Sequence, residues 1–456
     1  MFTNALSYAK KSINICFDLK NKQIETLKQL YDGKDCVSIL PTGYGKSVIF
    51  QLLPFLFQFK RKPKTPGIVI IVCPLNSLMQ DQVMSLSNKG IKACFLSVEG
   101  IFLGLTYNIE GKPSGDEEGD QLDIYIPHYV SLDDLQHGHF HLIYAHPETL
   151  LRNHTISTML RSKTYRENVC AIVVDEVHMI SEWGPDFRTA FKDLSELTCL
   201  FPLPTSVHLA LTATATRMVV ADLTKELCLA DPVIVSSNPD RPNIFIEVCR
   251  DLPNVNKMDK LDAALEPIAR ELREKLLSFP VTVVYVNDLA SLGYCYQYIE
   301  DELQDNAYHP KTEKIPENRI FGQFHKDYTL KMKAHIVDEL RKSNPKLRLI
   351  FTTVALGMGL NSPCISSVIH FRPPTTLEKY FQEIGRAGRN GQPANAKMYF
   401  NMSDLASNRK GLSPAMRKFC LNSTTCLRKQ IVNHFGFHSV LYNGEINMCC
   451  SNCRTR

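Results

Sequence analysis

Leu40-Pro41-Thr42-Gly43-Tyr44-Gly45-Lys46-Ser47-Val48-Ile49-Phe50 joins two apolar runs of different character. Upstream, Cys36-Val37-Ser38-Ile39-Leu40 reads as a buried strand. Downstream, Ser47 to Leu53 opens an apolar helix, so the glycines fall on the turn between them. Such a turn suits a phosphate. Gly43 and Gly45 let backbone N–H groups point at an anion, and the helix N-terminus adds the positive end of its dipole. Lys46 supplies a point charge, and Ser47 offers a hydroxyl to Mg2+. With Thr42 beside them, these residues are expected to form a P-loop for a nucleoside triphosphate. The general form has glycine where this chain has Leu40, so the stretch alone also fits an ordinary glycine-rich turn before a helix.

Working outward, 456 residues are enough for two or three domains, each with its own core. A net charge of +5 points to a local basic groove rather than a basic tail. No run of about 18 apolar residues exists, which excludes a membrane-spanning helix. The first 17 residues hold no extended apolar core before a cleavage site, which argues against secretion. Of 15 cysteines, five crowd into Cys420 to Cys453, and the others read as reduced core residues.

Ahead of the P-loop, Lys20 and Gln23 precede a helix over Ile24 to Tyr31. Gln23 carries both a donor and an acceptor with which to read an adenine edge, and a surface glutamine is the plain alternative. Lys60-Arg61-Lys62-Pro63-Lys64 reads as a solvated basic loop or as a nuclear import signal. Ile68 to Cys73 is a β-branched run, the mark of a strand buried on both faces. Residues 99–138 lack apolar period and read as an exposed, partly disordered insertion with a short hairpin over Leu122 to Tyr129.

Ala171-Ile172-Val173-Val174-Asp175-Glu176-Val177-His178 is the decisive companion of the P-loop. Two carboxylates ending an apolar strand are costly unless they face a cation or water, and a P-loop nucleotide brings both. Asp175 is expected to hold Mg2+. Glu176 is expected to activate the attacking water, and His178 to report the nucleotide state.

A P-loop followed by Asp175-Glu176-Val177-His178 resembles a superfamily 2 helicase of the DEAH-box-like kind. Met179-Ile180-Ser181-Glu182-Trp183-Gly184-Pro185-Asp186-Phe187-Arg188 resembles the aromatic-rich loop of RecQ DNA helicases, departing from the usual pattern at Glu182 and Pro185. Trp183 and Phe187 offer stacking faces to unpaired bases, and Arg188 a partner for phosphate or carboxylate. Thr212-Ala213-Thr214-Ala215-Thr216 resembles the threonine motif linking the halves of such a motor, and Asp240-Arg241-Pro242-Asn243-Ile244 the crossing between them.

Strand-like runs at Val281 to Val286, Ile320 to His325 and Leu347 to Thr353 make a second α/β domain without a P-loop. Within it, Gly357 allows close backbone approach to a nucleotide. In Gln382-Glu383-Ile384-Gly385-Arg386-Ala387-Gly388-Arg389, Arg386 and Arg389 are expected on one side of a helical turn, to stabilise charge on the transferring phosphoryl group. The match to QxxGRxGR includes Gln382. At the end of the chain, Cys450 and Cys453 form a C-x2-C knuckle for Zn2+. The arrangement resembles the RecQ zinc-binding subdomain, which implies Cys426 as the first ligand. Cys449 is favoured for the remaining place over Cys420, His434 and His438.

The resemblance implies an α/β fold of two tandem RecA-like parallel-sheet domains, 1–235 and 236–405, followed by a small helical zinc-binding subdomain, 406–456. It also implies ATP-dependent 3′-5′ translocation on single-stranded DNA, unwinding of forked duplex in repair or recombination, and residence in the nucleus. The sequence stops at Arg456 without the winged helix of longer members, so a translocase that separates no strands stays open, as does an RNA-directed motor.

Overall fold

A computed structural model of the protein describes residues 1–62, 65–74, 76–96, 101–107, 125–129, 131–177, 193–250, 252, 258–353 and 362–455, with backbone alone at 76–77, 101–107, 125–129, 217 and 330. The chain divides into two compact units, Met1–Ser237 and Asn238–Arg456.

In the first unit the strands are β1 (Cys36–Ile39), β2 (Ile68–Val72), β3 (Ala93–Leu96), β4 (Ile101–Tyr107), β5 (Tyr125–Tyr129), β6 (Leu142–Ala145), β7 (Val169–Val174), β8 (Val207–Thr212) and β9 (Val233–Ser236). They form one sheet in the order β5-β4-β3-β6-β2-β7-β8-β1-β9. Pairing is parallel except at β3–β4 and β4–β5. The β-branched runs occupy the middle because both faces there are covered. Val69, Ile71, Ala171, Val173 and Leu209 enter one core, and their neighbours Ile70, Val72, Ile172, Val174 and Ala210 enter another. This two-residue alternation divides an unbroken apolar run between two layers.

Three helices matter for the site: α1 (Phe2–Ser12), α2 (Asn21–Tyr31) and α3 (Lys46–Arg61). Helix α1 was not anticipated, although Ala5, Ala9 and Ile13 recur at helical spacing and are buried. It packs along α3, and Tyr8 Oη donates to Gln58 Oε1 at 3.0 Å. The basic stretch read as a free loop begins inside α3, where Lys60 donates to Tyr31 O and Arg61 to Thr205 O.

Within the stretch expected as an exposed insertion, 99–138, the described residues include β4, β5 and a short helix over Leu132–Gln136. Part of the expected hairpin, residues 122–124, lies outside the described residues; β5 pairs antiparallel with β4, Phe102 opposite Tyr129 and Tyr107 opposite Tyr125, and β4 pairs with β3. The partner strand lies some twenty residues upstream, across the acidic stretch, so no local turn signal marks the pairing.

The second unit contains β10 (Ile244–Cys249), β11 (Thr282–Tyr285), β12 (Phe321–Phe324), β13 (Leu349–Thr352), β14 (Ser367–His370) and β15 (Ala394–Tyr399). The order is β10-β15-β14-β11-β13-β12, parallel throughout. Its relevant helices are α4 (Leu377–Ile384), α5 (Pro414–Cys420), α6 (Leu427–His434) and the single turn α7 (Ser451–Arg454). Met416, Phe419, Leu427 and Ile431, from the region expected as a separate subdomain, share one core with Ile244, Leu377, Tyr380 and Ile384.

Candidate functional site

In the first unit β1 leads into the glycine turn, and α3 starts at Lys46. Gly45 is the residue before the helix, at φ 86° and ψ 43°, and Gly43 stands at φ 78°. Both conformations lie in the left-handed region, where a Cβ is penalised. Leu40, which departs from the general motif, is wholly buried in the core, and its N–H donates to Thr212 O at 2.9 Å. The position extends the β1–β8 pairing and needs a side chain to fill the core.

Gln23 is buried and committed to the turn. Its Nε2 donates to Tyr44 O at 3.0 Å and Gly45 O at 2.9 Å, while its Oε1 accepts the Lys20 N–H at 2.7 Å. In this conformation the donor and the acceptor of the amide expected to read adenine are both engaged by backbone, Nε2 by the P-loop and Oε1 by Lys20. Lys20 Nζ reaches Gly43 O at 3.4 Å and lies 4.5 Å from the centre of the Tyr44 ring. Thr42 and Ser47 are half-buried on the same turn and first helical turn.

Sheet order sets the carboxylates opposite. Strand β8 separates β1 from β7, and all three run parallel, so the residues after β1 and after β7 emerge at the same edge. Lys46 Nζ lies 3.8 Å from Glu176 Oε1. Asp175 is buried, and its Oδ1 accepts the Glu176 N–H at 2.9 Å. Burial, reinforced by the neighbouring Glu176 charge and opposed by Lys46, raises the Asp175 carboxyl to about 7. Crowded carboxylates of this kind suit a divalent cation. Glu176 holds φ at 51°, an uncommon conformation for a non-glycine residue and one often found at functional sites.

At the end of β8, Thr212 Oγ1 donates to Thr214 O at 2.9 Å and accepts the Thr214 N–H at 3.2 Å, a local turn beside the P-loop strand. His178, Trp183, Phe187, Arg188 and Gly357 lie outside the described residues.

In the second unit, α4 ends at Ile384, and Arg386 and Arg389 lie on a run of turns rather than on a helical turn as expected. The Arg386 N–H donates to Glu383 O, and that of Ala387 to Ile384 O. Gly388 bends the chain at φ 59° and its N–H donates to Ile365 O. Arg386 is buried, whereas Arg389 and Gln382 are half-buried. Behind them sit residues that motif reading missed. His370 Nε2 lies 2.8 Å from Glu383 Oε2, and the His370 ring stacks on Tyr285 at 4.9 Å. Burial pushes Tyr285 up to about 12, with the Arg386 charge pulling the other way. The signal was available, since Tyr285 and His370 are polar residues ending apolar strands.

The sulfurs of Cys426, Cys449, Cys450 and Cys453 all lie within 4.8 Å of one another. Cys426 Sγ is 3.6 Å from Cys449 Sγ and 3.9 Å from Cys450 Sγ. Four thiolates around one Zn2+ at ordinary bond lengths would be separated by about 3.8 Å, so the donor set fits that ion. Two adjacent cysteines converge because Cys449 is helical (φ −77°, ψ −55°) and Cys450 extended (φ −163°, ψ 168°). Cys420 lies outside the cluster, and His434 Nε2 is taken by Glu378 Oε1 at 2.6 Å. The close contact with the Cys426 sulfur lowers the Cys450 thiol, and burial raises Cys453.

The DEAD/DEAH box helicase family matches residues 20–223, and the Helicase conserved C-terminal domain family matches residues 291–391. ATP-dependent DNA helicase Q-like 2 of Arabidopsis thaliana is 31% identical over 442 residues, covering 94% of this chain and 54% of that protein. ATP-dependent helicase SGS1 of Saccharomyces cerevisiae is 30% identical, over 95% of this chain and 27% of that protein. ATP-dependent DNA helicase Q1 of Rattus norvegicus is 28% identical, over 94% and 62%. The chain thus spans between about a quarter and three fifths of the length of these relatives.

Among solved structures, Mycobacterium smegmatis helicase Lhr bound to ssDNA and AMP-PNP aligns with a TM-score of 0.60 at 17% identity, over 97% of this chain and 51% of that one. DEAD-box helicase Mss116 bound to ssRNA and UDP-BeF aligns with a TM-score of 0.61 at 14% identity, over 86% and 72%. These likenesses establish the RecA-like fold of the two parallel sheets. The family matches and the curated relatives, apart from these structures, make the chain RecQ-like, within helicase superfamily 2.

Proposed function

We propose that the chain is an ATP-dependent DNA helicase of RecQ type, which couples ATP hydrolysis to 3′-5′ movement on single-stranded DNA and to unwinding of forked duplex. One observation carries the reading: Lys46 at the start of α3 approaches Glu176 after β7 to 3.8 Å, with Asp175 buried beside it. That is the charge arrangement a hydrolysed triphosphate requires.

In this reading Lys46 and the N–H groups from Gly43 to Ser47 hold the phosphates. Ser47 and Asp175 hold Mg2+, which when bound neutralises charge on the phosphate oxygens. Glu176 takes the proton of the attacking water as its oxygen bonds to phosphorus and the bond to the leaving diphosphate breaks. Arg386 and Arg389 supply positive charge to the transferring phosphoryl group. His178, Trp183, Phe187 and Arg188 couple strand binding to hydrolysis, with Thr212 and Thr214 transmitting the change. Cys426, Cys449, Cys450 and Cys453 hold one Zn2+, which cross-links a segment that has little secondary structure of its own. Work on DNA in a nucleated cell would place the protein in the nucleus, in repair or recombination.

The test is ATPase and strand separation by the full chain, with and without single-stranded DNA, and with Glu176→Gln. Wild-type turnover should rise with DNA and exceed that with matched RNA, and forked duplex should open. Glu176→Gln should lower kcat by about 10²–10⁴-fold while nucleotide binding persists. Unchanged turnover in that variant removes Glu176 as the base. Stimulation by RNA alone makes this an RNA motor, and ATPase without strand separation makes it a translocase.

A further inference from the structure

One side chain joins the cysteine cluster to the segment around Asp240. Arg428, on α6, is 1% exposed and donates four hydrogen bonds. Its Nη1 reaches Asp240 Oδ1 at 2.7 Å and Arg241 O at 2.7 Å. Its Nη2 reaches Ile244 O at 2.5 Å and Cys449 O at 3.2 Å. Burying a guanidinium is costly unless its donors are met; both Nη atoms are engaged here, one of them by the carbonyl of a cluster cysteine, while Nε has no partner among the described residues. Asp240 is fixed from its other oxygen, which accepts the N–H groups of Leu441 at 2.6 Å and Tyr442 at 3.3 Å.

The next residue carries the link onward. Arg241 Nη1 donates to Gly385 O at 3.0 Å, and its Nη2 to Ala387 O and Gly388 O, both at 2.9 Å. These carbonyls lie beyond the end of α4, outside its ladder of hydrogen bonds, and Gly388 O also accepts the Gly391 N–H at 3.0 Å. They alternate with Arg386 along the same turn. A forked, planar donor can hold three such carbonyls at once, and a lysine ammonium on its longer, floppier stem cannot hold them in that plane. Asn243 completes the clamp, its Nδ2 donating to Gly388 O at 2.9 Å and Gln392 O at 2.8 Å.

At the cluster end, residues 445–453 contain only a three-residue 3-10 turn and the one-turn α7. They meet β10 through the bridge of Cys450 to Ile246 and the bond from the Val248 N–H to Ser451 Oγ at 3.3 Å, and Cys449, Cys450 and Cys453 share its core. A metal cross-link is the strongest restraint available to such a segment.

We propose that Arg428 and Arg241 are positioning residues that couple the four-cysteine site to the turn bearing Arg386 and Arg389, so that metal occupancy of the cysteines sets the order of that turn. The catalytic meaning of the turn rests on the function proposed above, whereas the coupling rests only on the second unit's own contacts.

Hydrogen–deuterium exchange on the full chain, zinc-loaded and after chelation under reducing conditions, tests the coupling without turnover. Amides of residues 385–392 should exchange about tenfold faster after chelation, the factor that one or two weakened hydrogen bonds give. In Arg428→Lys they should exchange faster already, and chelation should add little. Should that variant not fold, Asp240→Asn, which keeps the shape and loses the charge, serves the same comparison. In the ATPase assay, Arg241→Lys should lower kcat by about tenfold to a hundredfold, as an ångström of misplacement does, with nucleotide KM and melting temperature close to wild type. Chelation that loosens 445–453 and leaves 385–392 unchanged overturns the coupling. An Arg241→Lys chain with wild-type kcat overturns the positioning role. Should the wild-type chain hydrolyse no ATP, the proposed function fails, and exchange alone decides the relay.

Discussion

Gly45→Ala and Gly43→Ala look alike in sequence and should differ in the folded chain. Both glycines hold φ near 80°, so an alanine at either costs about 1–2 kcal/mol of left-handed strain. At Gly43 nothing lies within 4 Å of the added Cβ, and the strain is the whole effect. At Gly45 the Cβ would fall 2.7 Å from Gln23 Nε2, the atom that holds Tyr44 O and Gly45 O. Moving that amide forfeits two hydrogen bonds worth about 1 kcal/mol each, so Gly45→Ala should cost about 3–4 kcal/mol in all. Hydrogen exchange of the β1, β7 and β8 amides across a urea series reports the stability of that unit separately. A cycle with Gln23→Ala isolates the coupling: the double variant should be less destabilised than the sum of the single ones by about 2 kcal/mol, the two hydrogen bonds counted once. Equal destabilisation by Gly43→Ala and Gly45→Ala, or additive effects in the cycle, would refute the view that Gln23 braces the phosphate turn.

Leu40→Gly restores the general P-loop pattern yet should destabilise the first unit by about 3–5 kcal/mol, because a wholly buried leucine is lost from the core; a neutral melt would show that the position is free. Purified protein should contain about one zinc per chain by elemental analysis, and Cys450→Ser should lose the metal and lower the melting temperature; a folded, metal-free wild type defeats the assignment. The raised Asp175 carboxyl, at about 7, must lose its proton to hold a cation, so the proton and Mg2+ compete. The Mg2+ concentration for half-maximal nucleotide binding should therefore rise as pH falls from 8 to 6, and calorimetric titration at both pH values checks the sign.

The nucleotide site was the most legible part of the chain. A glycine turn between a strand and a helix, and two carboxylates ending an apolar run, are each produced by residues adjacent in sequence, so local chemistry suffices to find them. The arginine motif was found for the same reason, but its geometry was misjudged, because Gly388 and the contact of its N–H with Ile365 turn the chain away from the helix. The antiparallel edge of the first sheet escaped notice because β4 and β5 find their pairing across an acidic stretch with no apolar period.

By itself the sequence determined the two buried sheets, through β-branched runs whose alternate residues must face opposite layers, and the order of the motifs along them. Only the tertiary structure decided that Gln23 spends its amide on the P-loop, that Leu40 belongs to the core, that Cys449 turns inward beside Cys450, and that Arg428 and Arg241 hold the arginine turn from the cysteine cluster. Most of these outcomes depend on side chains meeting backbone atoms from about 20 to nearly 190 residues away. Neither partner's local pattern encodes such a meeting. It is set by where the sheets place the ends of their strands.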